Sequence, residues 1–445
     1  MTEALKICLI DTETVVGELR FTSERGRQSS SFTYNSAWRA SPAAFALAPA
    51  LRLQEAPHFF SAAAQNPALP HFLALPPVLA DLCPDGWGRS LMRRDAREQG
   101  AIEPTDLHFL TLIDDATRLG ALRVLDTHGI PLTTRNGISP VIPFDVQLPD
   151  LARAARSFEG RKALRDEWKD LLAPGSGLGG ARPKATLRDA HGCLWVAKFT
   201  SEKDENSAIE RAEVMTNWLA DACGITVPEA RLFEIGRDNP VGLFKRFDRA
   251  GASHDLRLHY VSAQTFMDAS TAIDSDVTYV KMAEAMMEAG LAGEQRQELF
   301  RRIVFQLLVN NTDDHLKNHG FLHVNGDWSL SPAFDINPQT DRRPQLKIAF
   351  DTDVGELPTP QEMVDRSFYF DLTDAQAAAC ISRMANTVAT CWAPYAQAAK
   401  MRGPDLAAYR SLFEGPQQNA WLGAALELHV PQPPVVPQRE SENAR

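Results

Sequence analysis

Residues 311–318 read Asn-Thr-Asp-Asp-His-Leu-Lys-Asn, and Asp335 follows within Ala333-Phe334-Asp335-Ile336, seventeen residues past Asn318. An aspartate five residues ahead of an asparagine, with a second aspartate beyond a short apolar strand, offers one carboxylate for a hydroxyl proton. It also offers two oxygen ligands for a hard cation such as magnesium. Upstream, Lys198 lies inside the apolar run Trp195-Val196-Ala197-Lys198-Phe199. A lysine there either snorkels outward or reaches into a cleft to bind an anion. Glu213, on the segment that follows, can pair with it, and Glu210, three residues earlier, lies on nearly the same helical face. Before the strand comes Pro174-Gly175-Ser176-Gly177-Leu178-Gly179-Gly180-Ala181-Arg182-Pro183-Lys184. Its glycines let backbone N–H groups approach phosphate oxygens, and Arg182 and Lys184 add charge. Taken in order, these pieces meet the needs of phosphoryl transfer from ATP: a backbone cradle, a cation on the non-transferred phosphates, an acid to hold that cation, a base and metal ligands.

Each piece alone has a plainer reading. An Asn- and Asp-rich octapeptide is a surface turn ending a helix, and the glycine-rich segment is neither a Walker A sequence nor G-x-G-x-x-G. Most acids on helices are simply solvated. The spacing Asp313-x-x-x-x-Asn318, however, is that of the protein-kinase catalytic loop, where the Asp accepts the hydroxyl proton and the Asn binds metal. Asp314 would sit one residue short, which assigns the base to Asp313. His315 and Lys317 between them give D-x-H-x-x-N, a variant also similar to phosphoinositide kinases, and Lys198 resembles the lysine of V-A-I-K.

The elements that must position these residues belong to a chain of 445 residues, longer than one core usually organises. With 46 Lys+Arg against 57 Asp+Glu, the formal charge of −11 argues against a general phosphate-neutralising surface, a local basic groove aside. No apolar run approaches the roughly 18–20 residues of a membrane helix, and Asp11, Glu13 and Glu18 interrupt any leader-like stretch, so a cytoplasmic location is expected. Six scattered cysteines without a C-x-x-C pair argue against disulfides or a structural zinc. Residues 1–135 read as hairpins followed by helix and strand. Residues 127–150, rich in Pro, Gly and Thr, suit a connection. Residues 136–250 hold a helix over 151–168, the glycine-rich segment, a strand pair turning at His191-Gly192, a helix over 208–223 and strands near 230–235 and 242–247. From 258 the pattern is mostly helical, with a strand-rich interruption at 320–330. Residues 431–445 read as a disordered tail.

These residues together resemble the HipA family of serine/threonine protein kinases, the toxin components of bacterial toxin–antitoxin modules. The matching pieces are Gly179-Gly180-Ala181-Arg182-Pro183-Lys184, Val196-Ala197-Lys198-Phe199, Leu243-Phe244-Lys245-Arg246-Phe247-Asp248-Arg249, Thr312 to Asn318 and Phe334-Asp335-Ile336. Leu82 to Arg89 and Leu119 to Arg123 add likeness to the family's N-terminal subdomain. The resemblance implies an α+β, two-lobed, protein-kinase-like fold. An N-terminal α/β subdomain (1–135) would precede a kinase N-lobe-like region (136–250) and a mostly helical C-terminal lobe (251–430). ATP and Mg²⁺ are the implied cofactors. Asp313 becomes the catalytic base, with Lys198 contacting phosphates. Nucleotide binding falls to Gly179, Gly180, Lys184, Lys198, Glu213, His315 and Lys317, with Lys245 and Phe247 at the adenine pocket chiefly through their backbone. Asn318 and Asp335 hold the metal. Ser176, beside the glycine-rich loop, is the candidate for autophosphorylation, although the position nearest the glycines is Gly177. The resemblance further implies a protein substrate such as an aminoacyl-tRNA synthetase, and a HipB-like helix-turn-helix antitoxin through which DNA is met indirectly. It implies no membrane. A small-molecule or lipid kinase, or a catalytically silent subunit of a DNA-bound repressor, stands as the alternative.

Overall fold

Alternation of apolar and polar residues builds the first sheet: Leu19 and Phe21, then Phe32 and Tyr34, are buried in turn while their neighbours are not. The computed structural model describes residues 2–10, 13–24, 27–61, 74–132, 142–160, 163–201, 209–236, 239–251, 256–270, 273–274, 276–340 and 345–428. The tail expected at 431–445 and the middle of the expected connection, 133–141, lie outside them. Strands β1 (Thr2–Leu9), β2 (Val15–Glu24), β3 (Arg27–Tyr34), β4 (His58–Ser61) and β5 (Leu122–Leu125) form one sheet in the order β4-β3-β2-β1-β5, with every pair antiparallel. Helix α1 (Gly86–Glu98) lies between β4 and β5 in sequence.

Helix α2 (Leu148–Glu159) leads to a second antiparallel sheet. The expected helix over 151–168 thus begins earlier and stops at Glu159, because Gly160 leaves the helical region and short 3-10 turns follow. In the second sheet β6 (Lys184–Arg188) and β7 (Leu194–Phe199) form a hairpin. Asp189 closes its turn: Oδ1 accepts from the backbone of His191 and Cys193, both at 2.9 Å. Helix α3 (Ile209–Ala222) then crosses to β8 (Ala230–Glu234) and β9 (Pro240–Lys245), giving the order β6-β7-β9-β8.

The remaining chain is mostly helical, with α4 (Tyr279–Glu288), α5 (Gly293–Val309) and α6 (Asp374–Ala398), the last running on through Pro394 past its expected end at 389. It also holds a three-stranded sheet of β10 (His259–Ser262), β11 (Gly320–Val324) and β12 (Asp327–Leu330). β10 interrupts what the local pattern reads as helix, because its hydrogen-bonding partner is about sixty residues away. The fold is α+β, with 41% helix and 21% strand among the described residues.

Apolar packing crosses the expected borders at 135 and 250 in both directions. One core joins the first sheet to α3, α4, α5 and α6. A second joins the β6-β7-β9 sheet to α2 and to Trp87 and Leu91 of α1. Polar contacts bind the same regions. Asp248, 1% exposed, accepts from the Gly120 N–H at 2.7 Å and pairs with Arg246 and Arg249, whose guanidiniums also donate to the carbonyls of Thr117 and Arg118.

One such contact makes stability pH-dependent. His259 is buried between Phe45 and Trp328, its Nε2 donating to the Leu47 carbonyl at 2.8 Å. Burial pushes its pKa down to about 4, and His323, half-buried beside it, is also lowered by burial. The unfolded chain takes up this proton first, near pH 6.5. The contribution is therefore complete above that pH and lost as pH falls towards 4, up to about 3 kcal/mol. Urea midpoints of His259→Gln should accordingly fall less steeply than the parent's between pH 7 and 4.5. Parallel curves would refute the assignment.

Candidate active site

Lys198 projects from β7 between Lys184 on one neighbouring strand and Gly242 on the other. Its ammonium donates to the carboxylates of both Glu213 on α3 and Asp335, with the Phe244 ring centroid 5.1 Å from Nζ. Glu210 takes a different partner: it pairs with Arg182 at 2.8 Å and accepts from the Thr200 hydroxyl at 3.1 Å. The choice between the two helix acids thus resolves by geometry. Burial works against the charge of Lys198, but Asp335 and Glu213 outweigh it and hold the ammonium above its ordinary range. Burial also opposes ionisation of Asp335, and Lys198 and Lys184 overcome it, keeping that carboxyl far below the usual carboxylate range. Glu213, more enclosed, is pushed up by burial despite Lys198.

Asp335 has φ +60°, a left-handed conformation that aspartate tolerates better than most residues. Its neighbours fix it there. Phe334 packs 5.4 Å from the Phe247 ring, and the Ile336 carbonyl accepts from Thr216 of α3 at 2.7 Å. Further along, Gln339 and Asn310 exchange hydrogen bonds, Gln339 N–H to the Asn310 carbonyl at 3.0 Å and Asn310 Nδ2 to the Gln339 carbonyl at 2.6 Å. That exchange lashes the Asp335 segment to the loop at 310–318.

The loop begins where α5 ends, at Asn310 with φ +54°. Leu316 is fully buried beneath it. Asp314 is also fully buried, with Oδ1 2.8 Å from His319 Nε2, which lies 3.2 Å from the Tyr279 hydroxyl. Asp313 faces outward with half its side chain exposed and pairs with Lys347. Asn318 Nδ2 donates to the Asp313 carbonyl at 2.8 Å, which leaves its amide oxygen as the acceptor for a cation. His315 lies within electrostatic reach of Asp335.

The glycine-rich loop docks on the first turn of α1. Gly180 N–H donates to Asp85 Oδ2 at 3.4 Å, the Gly180 carbonyl accepts from Trp87 N–H at 2.9 Å, and Trp87 Nε1 donates to the Lys184 carbonyl at 2.9 Å. Asp85 Oδ1 meanwhile holds Lys317 Nζ at 2.8 Å. Burial, which would raise Asp85, is outweighed by Lys317, and its carboxyl is lowered. Asp85 therefore ties the glycine-rich loop to the 310–318 loop, where its Pro-Asp-Gly context reads only as a chain reversal. Local sequence carries no signal for a meeting across 232 positions. Lys184 is buried against Gly180, and burial lowers its pKa with only partial relief from Asp335. Ser176 is 1% exposed, its hydroxyl unpartnered, and its carbonyl presses on Gly88, where a Cβ would lie 2.5 Å away.

At the expected adenine segment, the backbone N–H groups of Lys245 and Arg246 are taken by the Glu229 and Leu194 carbonyls. The Phe247 ring, against Phe334 and next to Asp335, is what this segment brings to the site. Glu213, Asn217, Phe244, Phe334, Asp335 and Ile336 line a narrow recess there. Among the described residues no group of three or more His, Cys, Asp or Glu side chains forms a closed metal cage. The donor set fits magnesium nonetheless. That ion keeps several waters and is bound by one or two protein oxygens together with substrate phosphates, and Asp335 and Asn318 provide two such oxygens.

Comparison with known proteins bears on the whole arrangement. The HipA N-terminal domain matches residues 6–125, and the HipA-like C-terminal domain matches residues 176–392. Y4dM of Sinorhizobium fredii, whose kinase label is itself provisional, is 26% identical over 289 residues. That match covers 60% of this chain and 63% of Y4dM, so the chain spans less than two thirds of this curated relative. Among solved structures, HipA of Shewanella oneidensis MR-1, in complex with HipB and operator DNA, superposes with a TM-score of 0.66 at 16% identity. It covers 96% of this chain and all of that one, and it shows a shared fold. The Helicobacter pylori proinflammatory kinase CtkA is more distant, with a TM-score of 0.38 at 13% identity over 55% of this chain and 92% of that one.

Proposed function

Because this chain belongs to the HipA family, we propose that it is an ATP- and Mg²⁺-dependent serine/threonine protein kinase of the HipA toxin type. The observation that carries this reading is the Lys198 ammonium gripped by Glu213 and Asp335, with the Asp335 segment lashed to the loop bearing Asp313 and Asn318. Lys198 steadies the non-transferred phosphates and Glu213 holds Lys198. The N–H of Gly179 cradles phosphate oxygens, joined by that of Gly180 once it releases Asp85, with Lys184 behind them. Asp313 accepts the proton of the acceptor hydroxyl. Asn318 and Asp335 hold magnesium, which when bound neutralises charge on the phosphates. The substrate is a protein hydroxyl, for which the family resemblance implies an aminoacyl-tRNA synthetase. The partner is a HipB-like antitoxin that makes the DNA contacts, a reading supported by the HipA–HipB–operator assembly of the Shewanella relative. The chain acts in the cytoplasm; among the described residues no helix is long and apolar enough to cross a membrane.

The test is incubation with γ-labelled ATP and a bacterial lysate, with Asp335→Ala as blank. A labelled protein band supports the reading. Label in an extracted small molecule replaces it with the lipid or metabolite kinase, and no label above the blank with the silent subunit.

Autophosphorylation at Ser176 requires the docked loop to leave, since the residue is 1% exposed and leaves no room for a phosphate. The phosphate's ≈ −1.5 to −2 charges then keep the loop out. Ser176→Asp places an unpaired carboxylate in the same spot, at a cost of several kcal/mol. It should lower affinity for Mg·ATP about tenfold or more by calorimetry, with Ser176→Ala close to the parent. Equal affinities for Ser176→Asp and the parent would discard the switch.

A further inference from the structure

We propose that Lys347 is a catalytic residue of the transfer step: its ammonium, paired here with Asp313, moves onto the oxygens of the transferring phosphoryl group as Asp313 takes up the acceptor hydroxyl. This rests on the phosphoryl-transfer reading above. The residue is aimed by the fold. Leu346 and Ile348 on either side are 2% and 3% exposed, while Lys347 between them is half-buried. The Leu346 N–H is tied to the Glu356 carbonyl at 2.8 Å. The carbonyls of Ala349 and Phe350 accept from the first residues of α4, Tyr279 at 3.0 Å and Val280 at 3.1 Å. A segment pinned on both sides delivers the lysine to the base, unlike a surface lysine that finds whichever acid is near.

Among the described residues, the other cations near the site are paired or enclosed. Lys198 is held by Glu213 and Asp335, Lys317 by Asp85 and Arg182 by Glu210, while Lys184 is enclosed under Gly180. Among the described residues, Lys347 is the cation that touches Asp313. Phosphoryl transfer spreads negative charge over the three equatorial oxygens of the moving group, and a cation aimed there stabilises the transition state. Asp313 must turn from Lys347 to meet the acceptor hydroxyl, and the incoming phosphoryl offers Lys347 a more negative partner. In the step, the acceptor oxygen bonds to the γ-phosphorus as the bond to the bridging oxygen breaks, its electron pair leaving with ADP. The hydroxyl proton passes to Asp313, and Lys347 stays protonated throughout.

The experiment compares parent, Lys347→Met and Lys347→Arg in the labelled-ATP and lysate assay, following initial rates of the labelled band. Binding of the magnesium complex of AMP-PNP is measured in parallel. A catalytic Lys347 predicts that Met loses about 100-fold in rate, that Arg keeps a tenth or more of it, and that analogue affinity changes less than threefold. A Met variant as fast as or faster than an active parent overturns the proposal, as does equal loss in Met and Arg together with lost analogue binding. A parent no better than the Asp335→Ala blank overturns the phosphoryl-transfer reading itself, and this proposal with it.

Discussion

Asp313→Asn should cut the rate of label transfer by about 10³-fold, within the usual range for removal of a general base, while leaving the affinity for Mg·ATP within threefold. The separation follows from where the side chain lies. Asp313 is half exposed at the rim and touches Lys347, and the carboxylates around Lys198 belong to other residues. Asparagine keeps the size but loses the proton-accepting carboxylate and its charge beside Lys347, neither of which belongs to the cluster around Lys198. Asp335→Ala should behave differently, because Asp335 meets Lys198 directly and is one of two candidate metal ligands. Its loss leaves Lys198 with Glu213 alone, and both nucleotide affinity and rate should fall. Calorimetry with Mg·ATP beside initial-rate assays distinguishes the two. If Asp313→Asn loses binding in step with rate, Asp313 is a ligand and the base lies elsewhere.

What could be read beforehand was what a short period or a fixed spacing encodes. Lys198 sits one residue from the end of an apolar strand, and the turn at His191-Gly192 comes from an Asp and a Gly with φ +86°. The Asp313–Asn318 spacing fits a loop whose two ends meet, Asn318 reaching back to the Asp313 carbonyl. Of the two neighbouring aspartates, Asp314 is sealed beside His319 while Asp313 is half exposed. The illegible parts are meetings between distant segments. Asp85 with Lys317, Lys347 with Asp313 and β10 with β11 each join pieces whose local composition says nothing about the other. A strand such as His259–Ser262 has too few residues for its period to compete with the helical pattern around it, and only its long-range ladder makes it a strand. Glu210 and Glu213 show the boundary between the two cases. The sequence placed both acids on one face, and the choice between them came from Arg182, a residue of the glycine-rich loop.

The largest effect on stability should come from Asp248→Ala. Asp248 contacts both Arg246 and Arg249, and all three are buried. The burial of its carboxyl is outweighed by those two guanidiniums, which hold it far below the usual carboxylate range. Removing it strands two cations in the interior and frees the Gly120 N–H, so the expected loss is about 3–5 kcal/mol. The exposed pair Arg153–Asp150 is the natural contrast. Asp150→Ala should cost no more than about 0.5 kcal/mol, because water already solvates both ends. The position of the cluster gives the experiment a second readout. Arg246 and Asp248 follow β9 directly, and their partners Thr117, Arg118 and Gly120 precede β5 of the first sheet. Weakening the lock should therefore expose the junction between the first sheet and the β9 end of the second before the rest of the chain unfolds. Hydrogen exchange at 116–122 and 246–250 should accelerate in Asp248→Ala more than exchange in α5. Uniform acceleration would mean that the cluster stabilises the chain as a whole and does not join these two regions in particular.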